Sequence, residues 1–167
     1  MLIKTIDFLT NLTRAIALAV MAFMMFFVAF AVISRLVYKP LLGDVEIVQL
    51  GMVVLIMCGL AYTQKVGGHI AIGLLVDRMP KKVQQSLDVF SSLLTAIMTF
   101  MISYIFIGVF LNHRHELKLS TSLLEIPYYP FDLIIVIGFA MWGLQALLKM
   151  IDSAVQFFDA NKKQGKR

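Results

Sequence analysis

Four long stretches almost free of charged residues constrain this chain more than any other feature of its sequence. They cover residues 15–34, 47–64, 89–112 and 133–151. Only the last contains a charge, Lys149, and its long side chain can reach the membrane surface near the helix end. About 20 apolar residues in a helix cross the hydrocarbon core of a bilayer. The sequence therefore predicts an all-α integral membrane protein with four transmembrane helices, which together form one membrane domain over residues 15–151.

The composition agrees with this interpretation and excludes several function classes. Of the 167 residues, 60% are hydrophobic and 15% are charged, which is typical of a membrane protein. The single cysteine, Cys58, excludes an intrachain thiol–disulfide mechanism. The net charge of +5 comes from basic residues that flank the apolar stretches. That placement favours membrane lipids with anionic headgroups as partners, and no nucleic acid.

A shorter apolar segment separates the second and third spans. Its apolar residues have the i, i+3, i+4, i+7 spacing of one helix face, and they are Ile72, Leu75, Val76 and Met79. The segment is too short to cross a bilayer. We therefore expect an interfacial amphipathic helix over about residues 69–79, and a loop with a few apolar residues is the alternative.

The basic residues and the chain ends predict the orientation. Residues 1–14 are expected to form an amphipathic lead-in that lies at the interface or extends the first span, and residues 152–167 a polar cytoplasmic tail. Eleven Lys and Arg residues fall on the side of the two termini and the second loop, against four on the other side. By the positive-inside rule, we expect both termini of this multi-pass protein to be cytoplasmic.

The spans carry no recognisable chemistry for transport or catalysis. Their interiors hold no Asp, Glu, Lys, Arg or His and no proline, whereas an ion-coupled carrier normally uses such ionisable groups or unwound backbone near the bilayer midplane. Haem would require facing ligands, and the histidines His69, His113 and His115 all lie outside the spans. We therefore predict no catalytic, cofactor-binding or metal-binding residue, and no enzyme.

Two polar features remain as candidate interface or structural positions. Small residues recur every four positions in the third span, and they are Ser91, Thr95, Thr99 and Ser103. Small residues let helices approach closely in lipid, so this stripe contacts either a partner or a neighbouring helix of the same bundle. Arg35 and Glu46 lie 11 positions apart, on either side of the first connection, and we hypothesise that they form a polar cluster at the outer end of the first two spans.

These residues together resemble a known family over nearly the whole chain. The resemblance rests on Arg35 in ISRLVY, Glu46 at the start of the second span, and Gly59–Leu60–Ala61 late in it. It also includes His69–Ile70 before an apolar run to Met79–Pro80, and Ile126–Pro127 before the fourth span. The chain resembles the small membrane subunit of tripartite ATP-independent periplasmic (TRAP) transporters. It departs from the family at Ala71, Ile72 and Gly73, where many members carry an acid.

The resemblance implies a location in the bacterial inner membrane, partners and a function. Its members join a large multi-span permease subunit, which carries the substrate and sodium sites and moves as an elevator. A periplasmic substrate-binding protein delivers the substrate, usually an organic acid. The small subunit is then a scaffold that helps dock the binding protein, with no cofactor in this chain and sodium only in the large partner. The alternatives are a self-contained four-span exporter, which needs a membrane-embedded carboxylate, or a membrane assembly factor.

Overall fold

The computed structural model describes residues 2–68 and 80–164, and in that part of the chain the secondary structure is helical. The helices are α1 (Leu2–Val37), α2 (Asp44–Lys65), α3 (Lys81–Asn112) and α4 (Tyr129–Gln164). Each is long and apolar enough to cross a membrane. This confirms the all-α class with four transmembrane helices. The interfacial helix expected over 69–79, with His69, Ile72, Leu75, Val76 and Met79, lies outside the described residues.

The helices are longer than the uncharged stretches that predicted them. α1 begins at Leu2 and runs without a break into the first span, so the lead-in extends that helix. α3 begins at Lys81, directly after Pro80, whose fixed φ suits a helix start. At its other end α3 continues into a π-helical turn, His113–Leu117. Charged residues therefore occupy the ends of the helices, where they can reach lipid headgroups or water.

Helix α4 lies at the centre of the bundle. It packs extensively against α2 and α3, whereas α1 packs mainly against α2 and touches α4 only slightly. The order across the bundle is therefore α1, α2, α4, α3. The buried apolar residues are mostly small, and they are Ala31, Leu50, Ala61, Ala96, Met141 and Ala146.

Two glycines of α4 set its distance from the neighbouring helices. A Cβ atom at Gly138 would lie 2.7 Å from the Cβ of Met57 and 2.9 Å from the carbonyl oxygen of Met57. A Cβ atom at Gly143 would lie 2.9 Å from Oγ1 of Thr99 and 3.0 Å from the ring of Phe100. The missing side chains therefore let α4 approach α2 on one side and α3 on the other, as small residues do in membrane bundles.

Candidate functional site

A first group of polar contacts lies at the end of the bundle that carries the α1–α2 connection (residues 38–43) and the α3–α4 connection (residues 118–128). We call this end the cap end. There, Arg35 in the last turn of α1 forms an ion pair with Asp44 in the first turn of α2. Within the hypothesised cluster of Arg35 and Glu46, the direct partner of Arg35 is therefore Asp44, and no ion pair joins Arg35 to Glu46 among the described side chains. Residues that are two positions apart on a helix point in directions about 200° apart around its axis. Asp44 and Glu46 therefore face different neighbours.

Glu46 instead holds the α3–α4 connection. Its Oε1 accepts a hydrogen bond from the backbone N–H of Leu123 at 2.8 Å, and its Oε2 accepts one from Leu124 at 2.9 Å. The side chain of Leu124 lies against Gly43, whose φ of +80° suits a residue without a Cβ. One carboxylate thus joins the start of α2 to a loop that follows it by more than 70 residues.

The α3–α4 connection is closed on itself by a short antiparallel pairing. Thr121 donates its backbone N–H to the carbonyl of Ile126 at 2.9 Å, and its Oγ1 accepts the N–H of Ile126 at 3.0 Å. The N–H of Tyr128 bonds to the carbonyl of Leu119 at 3.1 Å. These bonds satisfy backbone groups that would otherwise depend on water, so the loop forms a defined cap over α2.

His113 joins the end of α3 to the start of α4. Its Nδ1 lies 2.6 Å from Oδ2 of Asp132, and both side chains are largely buried. His113 is one of the histidines that the sequence places outside the spans, and its partner is this carboxylate. Among residues 2–68 and 80–164, no group of three His, Cys, Asp or Glu side chains is placed to hold a metal ion.

The small-residue stripe of α3 turns from the surface to the interior along its length. Ser91 is exposed and Thr95 is half-buried, whereas Thr99 and Ser103 are buried. Ser103 donates its hydroxyl to the carbonyl of Val136 in α4 at 3.0 Å. The half of the stripe that contains Thr99 and Ser103 therefore packs within the bundle.

Three further polar contacts tie the helices together toward the opposite end, which carries the chain termini. Nε2 of Gln145 donates to Oγ1 of the fully buried Thr10 at 2.7 Å. Nε1 of Trp142 donates to Oε1 of Gln64 at 3.2 Å. Lys65 pairs with Asp7 at 2.7 Å. The sequence contained no signal for the partners that Gln145 and Trp142 have in α1 and α2.

The buried polar side chains are all hydrogen-bonded in the part of the chain that the structure describes. Every buried side-chain nitrogen or oxygen there has a hydrogen-bond partner. A site for an ion or a polar substrate would require groups that are free to bind it. The described interior is therefore built for cohesion between helices, while its outer surface is strongly apolar.

Helix α1 presents the most extensive apolar surface. Its large exposed side chains include Phe8, Leu12, Phe23, Met25, Phe26, Phe30, Leu36 and Val37. Only 11% of its most apolar stretch is buried in the bundle. Such a surface faces either lipid or an apolar protein partner.

Residues 24–156 match a family model whose description is "Tripartite ATP-independent periplasmic transporters, DctQ component". The match begins within α1, spans α2 and α3, and ends in α4, so it includes every polar contact of the cap end. No curated protein matches the chain.

Proposed function

Because the chain belongs to the family of DctQ components of tripartite ATP-independent periplasmic transporters, we propose that it is the scaffold subunit of a sodium-coupled importer of an organic acid. It is the small subunit of a transporter of this family and not an enzyme. In the proposal, a large elevator-type permease carries the substrate and sodium sites. A periplasmic binding protein delivers the substrate to the assembly.

The observation that best supports the scaffold role is that every buried side-chain nitrogen or oxygen among the described residues has a hydrogen-bond partner within the subunit. The polar side chains Thr10, Ser103 and Gln145 bond to other parts of the same subunit. A sodium site requires several oxygen ligands that are free to contact the ion, and a carrier normally keeps such ligands near the bilayer midplane. The described interior offers bonds between helices instead, which suits a part that stays fixed while another part moves.

The permease is proposed to dock on the apolar face of α1. That face carries large side chains such as Phe23, Phe26 and Phe30, which have little contact with the rest of the subunit. Aromatic side chains supply large contact areas at protein interfaces. The bundle interior remains intact in this arrangement, because α4 already holds α2 and α3 together.

The cap end is proposed to face the periplasm and to help dock the binding protein. The excess of basic residues on the side of the termini supports this orientation. A fluorescent protein fused after Arg167 tests it, since such a fusion should fluoresce only if the C-terminus is cytoplasmic. A reporter that proves active only in the periplasm when fused at the same position would show that the orientation is the opposite one.

Reconstitution into liposomes tests the scaffold function. The small subunit alone, the permease alone and the two together are each supplied with the binding protein, a labelled organic acid and an inward sodium gradient. We expect uptake with both membrane subunits and none with the small subunit alone. Gln145→Leu should leave the sodium dependence of uptake unaltered. Uptake by the small subunit alone would defeat the scaffold hypothesis.

Docking of the binding protein is tested at Glu46. Glu46→Gln removes the charge that holds the N–H groups of Leu123 and Leu124, so we expect the loop to loosen and the binding protein to bind more weakly to the reconstituted complex. Asp88→Asn is the matched control, because it removes one acidic charge near the start of α3. If both variants and the wild type bind the binding protein with equal affinity, the cap end is not part of the docking surface.

A further inference from the structure

An open groove of about 350 Å³ lies between α1 and α2, on the side of the bundle that carries the termini. The residues that matter for its chemistry are Arg14, Leu18, Met21, Leu55, Gly59 and Tyr62. The first three belong to α1 and the others to α2. The groove has a polar mouth and apolar walls, and no part of the scaffold proposal uses it.

The deep part of the groove is apolar and elongated. Arg14 and Met21 are seven positions apart, as are Leu55 and Tyr62 on the antiparallel helix, so each wall extends about 10 Å along the helix axis. A Cβ atom at Gly59 would meet no other atom within 4 Å. The absence of a side chain at Gly59 therefore keeps the middle of the groove open. A slot of this length and character fits the upper part of one acyl chain.

Arg14 occupies the mouth and is held there by an aromatic neighbour. Its guanidinium carbon lies 4.9 Å from the ring centroid of Tyr62, and Nη1 donates to the tyrosine oxygen at 3.3 Å. A guanidinium has five N–H donors, so most of them are left for another ligand. Asp7, which lies on the same face of α1 as Arg14, pairs with Lys65. Among the described side chains, no carboxylate forms an ion pair with Arg14.

The mouth also lies at the depth of lipid headgroups. Arg14 directly precedes the first uncharged stretch, and Tyr62 comes three residues before Lys65, which ends α2. Tyrosine and arginine are both favoured at the boundary between hydrocarbon and water. A guanidinium can bind a phosphate through two parallel hydrogen bonds. The groove thus offers a cation for a phosphate and an apolar slot for a chain attached to it.

We propose that this groove binds one anionic phospholipid of the surrounding membrane. The phosphate lies on Arg14 and one acyl chain lies along Leu18, Met21 and Leu55. The bound lipid fills the space between α1 and α2 and completes the packing of α1, the helix with the least contact to the bundle centre. The site is independent of the proposed transport role, since it concerns lipid retention and not substrate uptake.

Native mass spectrometry of the full chain in detergent tests the proposal. The probes are phosphatidylglycerol and phosphatidylcholine with the same two acyl chains. We expect the wild type to retain one phosphatidylglycerol in preference to phosphatidylcholine. Arg14→Gln should weaken phosphatidylglycerol binding about five-fold, the effect of one basic residue beside anionic headgroups. Gly59→Leu should weaken the binding of both lipids, because the new side chain fills the acyl slot.

Two controls match these variants. Arg114→Gln removes a cation that also lies over an aromatic ring, 6.0 Å from the centroid of Phe110, but away from the groove. Gly108→Leu adds a side chain at a glycine of α3 that is equally open. Neither should change lipid binding. Equal losses for Arg14→Gln and Arg114→Gln, or wild-type binding by Gly59→Leu, would overturn the proposal.

Two further outcomes also count against a lipid site. Displacement of phosphatidylglycerol by millimolar inorganic phosphate would show that Arg14 binds any anion and that the slot contributes nothing. If the complex with the permease retains no lipid while Gly59→Leu releases the permease, the groove is a contact between subunits. The proposal requires that the intact complex retains one phosphatidylglycerol and that both groove variants retain it less tightly.

Discussion

Helices α1 and α4 are both 36 residues long, and both are apolar enough to cross a membrane, yet they take opposite places in the bundle. α1 is the more apolar of the two. Nevertheless, 11% of its most apolar stretch is buried, against 33% for α4. In a water-soluble protein the order would be reversed, because the more apolar helix would gain more from burial.

The buried face of α4 explains the difference. It carries small residues such as Gly138, Gly143 and Ala146, together with the hydrogen-bonding Gln145. α1 carries large side chains on most of its surface. Lipid tails solvate a large apolar side chain as well as a protein interior does, so close packing and polar bonds decide which helix is central. Hydropathy therefore predicts which segments enter the membrane but not which of them are buried in protein.

The largest effect is expected from Gly138→Leu, which breaks the central place of α4. The new side chain would collide with the backbone of Met57, which cannot rotate away. Overpacking of this kind costs about 1–3 kcal/mol, and we expect a loss near the top of that range, about 3 kcal/mol. Unfolding in mixed detergent micelles, followed by circular dichroism, measures it.

Gly108→Leu is the matched control for this prediction. A Cβ atom at Gly108 meets no other atom within 4 Å, so its free energy of unfolding should change by less than about 0.5 kcal/mol. Similar losses for the two variants would mean that helix propensity, and not the approach of α4 to α2, controls stability.

A smaller loss, about 2 kcal/mol, is expected from Thr99→Leu. The Thr99 side chain fills the space beside Gly143, and a leucine would push α3 away from α4. Thr95→Leu loses the same type of hydroxyl bond to the preceding turn but lies half-buried, so it should cost less. If Thr95→Leu is the more damaging change to stability, the stripe packs differently from the structure. Unfolding in micelles compares the two variants.

Gln145→Leu sharpens the comparison further, because this residue bonds α4 directly to Thr10 of α1. A double-mutant cycle with Thr10→Val should give a coupling energy of about 0.6 kcal/mol, the average for hydrogen bonds between membrane helices. Thr10 also donates to the carbonyl of Ile6, which limits the cost of losing Gln145. A coupling energy of zero would show that the bond does not hold α1 to the bundle.

The smallest effect on stability is expected from Phe26→Ala on α1. The side chain is 69% exposed, so in micelles the free energy of unfolding should change by less than about 0.5 kcal/mol. Co-purification with the permease should nevertheless fall, because the variant removes a large part of the proposed docking face. Phe90→Ala on α3, where the side chain is 64% exposed, is the control for both measurements. A loss of stability above 1 kcal/mol for Phe26→Ala would place this residue inside the fold.

Much of the fold could be predicted from the sequence, because a bilayer allows few solutions. A backbone that crosses hydrocarbon must satisfy its own hydrogen bonds, and only a helix does so within one segment. Long uncharged stretches therefore predict helices with little ambiguity. Motifs such as ISRLVY around Arg35 and the Ile126–Pro127 pair indicated the family, and the family match confirms it.

The side-chain partners could not be predicted in the same way. Asp44 and Glu46 both follow Arg35 closely in the sequence, and the rotation of α2 about its axis places Asp44 beside Arg35. Glu46 bonds to backbone groups at Leu123 and Leu124, and backbone donors carry no signal in a sequence. Thr10 and Gln145 are 135 residues apart. Such pairings depend on how the helices are rotated and ordered.

The sequence by itself thus determined the number of spans, the helical class and the family, since these follow from segment length, charge and local motifs. Only the tertiary structure decided that α4 is central, that α1 lies at the side, and that the stripe from Thr99 to Ser103 faces inward. The physical reason is that every face of these helices is apolar, and lipid accepts them all. The rotation of each helix about its axis is then set by close contacts with its neighbours, at positions such as Gly138 and Gly143. These contacts exist only once the helices are packed together.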